Sequence, residues 1–212
     1  MEKILFFDFD GTLINTVGPV TQLFKDTADH WSDHIVTKDD VISTFGVNER
    51  GTLKQLTGDN GEKAFLEFFE AYKLMLNSVK PYPGIVDLLE TLRDDGFTLI
   101  LVTGKGIECC EASLDKMNLK GVFEEICPGR IEKAAKAEDM LEIMKRHFAE
   151  PEDCFYIGDT PSDVIEAQNA GVECLSAAWD PDTDRDTLNR INPGKVFESI
   201  EEIKDYITAK KR

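Results

Sequence analysis

Apolar positions along this chain fall into two periods, and the two alternate. Ile4 to Phe7, Phe97 to Val102 and Cys154 to Ile157 are short continuous apolar runs, the pattern of strands covered on both faces. Each run stops at a polar loop containing glycine: Asp8-Phe9-Asp10-Gly11-Thr12, Thr103-Gly104-Lys105-Gly106 and Gly158-Asp159-Thr160-Pro161. Val122 to Ile126, Val172 to Ser176 and Lys195 to Phe197 are weaker strand candidates.

Between the strands the spacing becomes helical. Ile85, Leu88, Leu89 and Leu92 share a face until Gly96, Ile107, Cys110, Leu114 and Met117 do so until Asn118, and Met140, Leu141, Met144 and Phe148 mark a third helix. Thr160 and Pro161 suit the cap and first turn of a fourth, stopping near Gly171, and Ser199 with Glu202 forms a capping box for the last. This alternation predicts an α/β chain, a Rossmann-like, mainly parallel sheet with helices on both faces and right-handed crossovers.

The stretch between Phe7 and Phe97 breaks the rhythm, because it holds no convincing strand. Val20, Leu23, Phe24, Thr27, Ala28 and Trp31 lie on one helical face, and Phe65, Phe68, Phe69, Tyr72 and Leu76 on another, before Pro81, Pro83 and Gly84 punctuate a return to the sheet. The expected organisation is a core of residues 1–14 and 83–212, with residues 15–82 as an inserted all-helical domain over the strand ends.

Composition narrows the function. The 212 residues are 42% hydrophobic and 31% charged, an ordinary globular balance. No stretch reaches the roughly 18 apolar residues of a membrane span, and Met1 to Leu5 runs into a strand without the features of a signal peptide, so the expected compartment is the cytoplasm. Five cysteines without ligand spacing suit reduced thiols there, with Cys109 and Cys110 as packing residues on different helix faces. A formal charge of -17 argues against nucleic acid and anionic membranes, and the basic end from Lys210 to Arg212 reads as a solvated tail.

In a parallel sheet the carboxyl ends of the strands collect the reacting groups. Here they bring together Asp8, Asp10, Thr12, Thr103, Gly104, Asp159 and Asp163. Aspartates this close repel one another, so the set calls for a hard divalent cation with oxygen ligands, and the expected ion is Mg²⁺, which also accepts a phosphate oxygen.

Asp8-Phe9-Asp10-Gly11-Thr12-Leu13 resembles the first motif of the haloacid dehalogenase-like phosphatases, Thr103-Gly104 the second and Gly158-Asp159-Thr160-Pro161-Ser162-Asp163 the fourth. For the third motif, an upstream lysine, Lys136 is preferred to Lys133. The inserted helices are similar to that family's class-one helical cap. Asn15 departs from the phosphoglycolate phosphatase branch, where aspartate is frequent. The resemblance implies hydrolysis of a small phosphate monoester, in the manner of that branch, through an aspartyl-phosphate. Asp8 would be the nucleophile and Asp10 the general acid and base, Thr103 and Lys136 would hold the phosphoryl group, and Thr12 and Gly104 would contact substrate. Metal ligation falls to Asp8, Asp10 through its carbonyl, Asp159 and Asp163. Arg50 and Lys54, near Asn48 in the inserted segment, are candidate contacts for the leaving group. The expected partner is a small phosphorylated metabolite. A β-phosphoglucomutase-like phosphomutase and a non-catalytic phosphate-binding module are the alternatives. His30, His34 and His147 show no ligand spacing.

Overall fold

Every side chain of the first strand, β1 (Ile4–Phe7), is buried, and this sets the centre of the sheet. The computed structural model describes residues 3–210, so Lys211 and Arg212 of the basic end, and Met1 and Glu2, lie outside the described residues. After β1 come α1 (Val17–Trp31), α2 (Lys38–Ser43), α3 (Glu49–Thr57), α4 (Gly61–Met75) and α5 (Ile85–Asp94). Strand and helix then alternate through β2 (Thr98–Val102), α6 (Ile107–Lys116), β3 (Glu125–Cys127), α7 (Lys136–His147), β4 (Cys154–Gly158), α8 (Pro161–Ala170), β5 (Glu173–Ala177), α9 (Arg185–Ile191), β6 (Val196–Phe197) and α10 (Ile200–Lys210).

The strands are parallel in the order β3-β2-β1-β4-β5-β6, and β1 pairs with both β2 and β4. Strand order reverses beside β1, so the carboxyl ends of β1 and β4 flank the crevice where such sheets place ligands. Successive residues face opposite sides: Leu5 and Phe7 join one apolar cluster with α5, α6 and α10, while Ile4 and Phe6 join another with α7, α8 and α9. Buried residues of the inserted helices, including Phe24, Phe68 and Tyr72, belong to the first cluster, so these helices are continuous with one face of the core.

Three local expectations change. β3 starts at Glu125, paired with Ile100, rather than at Val122, because Val122 still bonds back to Leu119 in a turn. On α7 the buried face is Met140, Ile143 and Met144; Leu141 is exposed, and Phe148 caps the helix at φ 51 with 86% of its surface exposed. Cys109 and Cys110 are both buried, since neighbours on a helix, about 100° apart, fit within one broad buried face. The capping boxes of Thr160 with Asp163 and of Ser199 with Glu202 are both formed. No helix among the described residues is long and apolar enough to cross a membrane.

Candidate active site

The Asp8 amide donates to the Ile157 carbonyl at 2.8 Å, which ties the loop after β1 to the end of β4. That contact helps bring Asp8, Asp159 and Asp163 together: one carboxylate oxygen from each lies within 4.8 Å of the others. Lys136, at the start of α7, sits between two of them, its Nζ 2.8 Å from Asp8 Oδ2 and 2.7 Å from Asp163 Oδ1. Lys133 instead pairs with Glu138 at the surface.

Asp163 is fully buried and its oxygens are saturated with donors. Tyr156 donates to Oδ1 at 2.9 Å, and the Thr160 amide and hydroxyl donate to Oδ2 at 2.9 and 2.7 Å. Burial alone would raise its pKa, yet Lys136 and Thr160 outweigh burial and hold the carboxyl below its usual range. Asp163 is therefore an anionic post that fixes Lys136. Burial pushes the Asp8 carboxyl up despite Lys136, and burial with the charges of Asp163 and Asp8 pushes Asp159 well up. Carboxylates made costly to ionise in this way, with their oxygens converging, fit a hard divalent cation.

Gly11 makes the convergence possible. It adopts φ +73, and a β-carbon there would overlap the Asp159 carboxylate. Thr12 is fully buried: its hydroxyl donates to Asp159 Oδ1 at 3.1 Å and its carbonyl accepts from Trp179 Nε1 at 3.2 Å. It braces Asp159 and does not line the cavity, which corrects its assignment as a substrate contact. Thr103 and Gly104 do line it, and Gly104 packs so closely on Gly129 that a side chain at 129 would overlap its carbonyl.

Asp10 points elsewhere. Its carboxylate is not in the acidic cluster; Oδ1 accepts from the Thr16 hydroxyl, and Oδ2 lies 3.0 Å from Lys105 Nζ. Only its main chain is left to serve a metal. Lys105, 4% exposed, also lies 3.5 Å from Glu49 Oε1 and 4.7 Å from the centre of the Tyr72 ring. Burial opposes its charge, but Asp10, Tyr72 and Glu49 outweigh burial and hold its pKa well above the ordinary lysine range. Glu49 Oε2 accepts from the Gly106 amide at 2.6 Å.

Sequence reasoning missed Lys105 and Glu49. The available signals were a lysine flanked by two glycines at a strand end, and a glutamate opening a helix capped by Asn48. Arg50 and Lys54, the expected leaving-group contacts, do not line the cavity. The physical reason is helical phase: residues three or four apart share a face, and Glu49 with Thr52 takes the inward one while Arg50 and Lys54 share another. Arg50 pairs with Glu62 and Glu108 and stacks on Phe65, 3.8 Å from its ring centre. None of the three histidines lines the cavity.

Asp8 and Asp159 line a cavity of about 390 Å³ between the strand ends and the inserted helices, with Asp163 buried behind them. A family model described as haloacid dehalogenase-like hydrolase matches residues 5–177. The chain is 30% identical over 181 residues to a phosphoglycolate phosphatase of Aquifex aeolicus, covering 84% of this chain and 85% of that one. It is 27% identical over 184 residues to the pyrophosphatase PpaX of Anoxybacillus flavithermus, covering 82% and 83%. The solved structure of a hydrolase from Pseudomonas syringae superposes with a TM-score of 0.80 at 21% identity, covering 98% of this chain and 99% of that one.

Proposed function

The chain belongs to the haloacid dehalogenase-like hydrolases and is a phosphatase of that family, and we propose that it hydrolyses a small phosphate monoester through an aspartyl-phosphate formed on Asp8. The observation that carries this reading is the division of labour between two aspartates. Asp8 is buried and gripped by Lys136 at 2.8 Å, whereas Asp10, two residues on, turns out of the acidic cluster to another part of the same cavity.

The Asp8 carboxylate oxygen attacks phosphorus in line, the bond from phosphorus to the leaving oxygen breaks, and that oxygen takes its proton from Asp10. Water then attacks the aspartyl-phosphate, giving its proton to Asp10 and releasing inorganic phosphate with Asp8 restored. Lys136 orients Asp8 and balances charge on the phosphoryl oxygens, and the Thr103 hydroxyl donates to one of them. Mg²⁺ held by Asp8, Asp159 and the Asp10 main chain would supply the positive charge that lets a phosphate dianion approach three carboxylates.

The proposed partner is a small phosphorylated metabolite, consistent with the relatives named phosphoglycolate phosphatase and pyrophosphatase. The proposed compartment is the cytoplasm, supported by five free thiols. Release of inorganic phosphate from an aryl phosphate, dependent on Mg²⁺ and abolished by Asp8→Asn, is the expected result. Isomerisation of a sugar phosphate without net phosphate release would overturn hydrolysis in favour of a mutase.

A further inference from the structure

From the cavity wall that faces the leaving group we infer that the preferred substrate is the phosphate ester of an uncharged alcohol bearing apolar surface. This rests on the hydrolase reading above. Helices α1 and α2 present Val17, Val20, Phe24 and Ile42 to the cavity, and the connection from α2 to α3 adds Phe45 and Val47. Three of these stay open to solvent although they are apolar: Val17 at 42%, Ile42 at 52% and Phe45 at 48%. Large exposed apolar side chains gathered at one cavity mark a binding surface.

Charge points the same way. Six carboxylates line the cavity, namely Asp8, Asp10, Glu49, Asp139, Asp159 and Glu166, against two lining cations, Lys105 and Lys136, with Asp139 paired to Arg130 behind the wall. Both lysines are committed. Lys136 bridges Asp8 and Asp163, and Lys105 bridges Asp10 and Glu49. The metal and Lys136 meet the charge of the transferred phosphoryl group. Among the described residues, no further cation lines the cavity for a second anion, such as the carboxylate of phosphoglycolate or the other phosphate of pyrophosphate. A second negative charge would approach Glu49 and Asp10 with no cation to meet it, and like charges brought together discriminate against such a ligand.

The test is steady-state hydrolysis with Mg²⁺ by the full chain. Phosphoglycolate is compared with its neutral amide, and n-alkyl phosphates are compared from ethyl to hexyl. The amide is expected to be at least about tenfold better in kcat/KM, and the alkyl series to rise about threefold per methylene while the chain follows the wall. Phe45→Ser and Ile42→Ser flatten that rise. Calorimetric binding to the Asp8→Asn protein, a readout without turnover, should rank hexyl phosphate above phosphoglycolate. A preference for phosphoglycolate or pyrophosphate, or a flat alkyl series, overturns this inference and leaves the hydrolase reading standing. Failure to hydrolyse any ester overturns both.

Discussion

One ammonium group joins the strand-end loops to the inserted helices: Lys105 Nζ lies 3.0 Å from Asp10 Oδ2 and 3.5 Å from Glu49 Oε1. The side chain is 1% exposed, so water cannot take over its role. Removing one partner of a buried charge group leaves the others uncompensated.

Lys105→Met is therefore expected to cost about 3–5 kcal/mol of stability. It should also lower kcat/KM by releasing Asp10 from its fixed position. Urea unfolding reads the first effect and steady-state kinetics the second. Adding Glu49→Gln should recover part of the stability, because it removes one stranded carboxylate, but it should not restore the rate.

The convergence of Asp8, Asp159 and Asp163 within 4.8 Å predicts a strong link between metal and folding. Mg²⁺ should raise the Tm of the wild-type protein with a saturating concentration dependence, and chelation should reverse it. Asp159→Asn should raise the Tm of the metal-free protein by removing like-charge repulsion, while abolishing most of the Mg²⁺ response. A thermal-shift titration of both proteins checks this without any substrate.

Arg50 is engaged with Glu62, Glu108 and the Phe65 ring, away from the cavity. Arg50→Ala should leave KM unchanged for every accepted phosphate. It should cost only about 0.2–1 kcal/mol for the lost ion pairs, which are partly exposed, with some further loss from the ring contact.

Burial pushes the thiols of Cys110, Cys127 and Cys154 up to about 12. An unfolded thiol loses its proton near pH 8.5. Between roughly pH 8.5 and 12 the unfolded chain thus binds fewer protons than the folded one, and stability must fall as pH rises. Denaturation midpoints should decline steadily above about pH 8.5, and replacing these three cysteines with alanine or valine should flatten the decline. In the native protein at pH 8, alkylation of these thiols should be far slower than in urea.

Much of this architecture was legible because local rules and the fold agreed. The apolar runs ending at Asp8, Thr103 and Asp159 are strands whose positions the pleat and the two-sided cover leave little freedom to change. Lys136 was legible only through the resemblance of Lys136-Ala137-Glu138, ahead of a helix and β4, to the family's third motif, which left Lys133 as the alternative. Arg50 and Lys54 were misjudged because sequence gave their charge but not the phase of α3, which turns Glu49 and Thr52 inward. Phe148 keeps the helical phase of α7 in sequence, yet it falls at the left-handed cap where the chain leaves the packed face, so its ring is exposed.

By itself the sequence determined the alternation of strand and helix, the insertion after the first strand and the acidic residues at the strand ends. These follow from periodicity and turn chemistry, which act between neighbours. Only the tertiary structure decided that Asp10 faces Lys105 rather than the acidic cluster, that Asp163 anchors Lys136, and that the segment between β1 and β2 meets the site with apolar side chains and a carboxylate. Each of those depends on which helix face turns inward and on groups far apart in the chain being buried together, and burial fixes which charges pair.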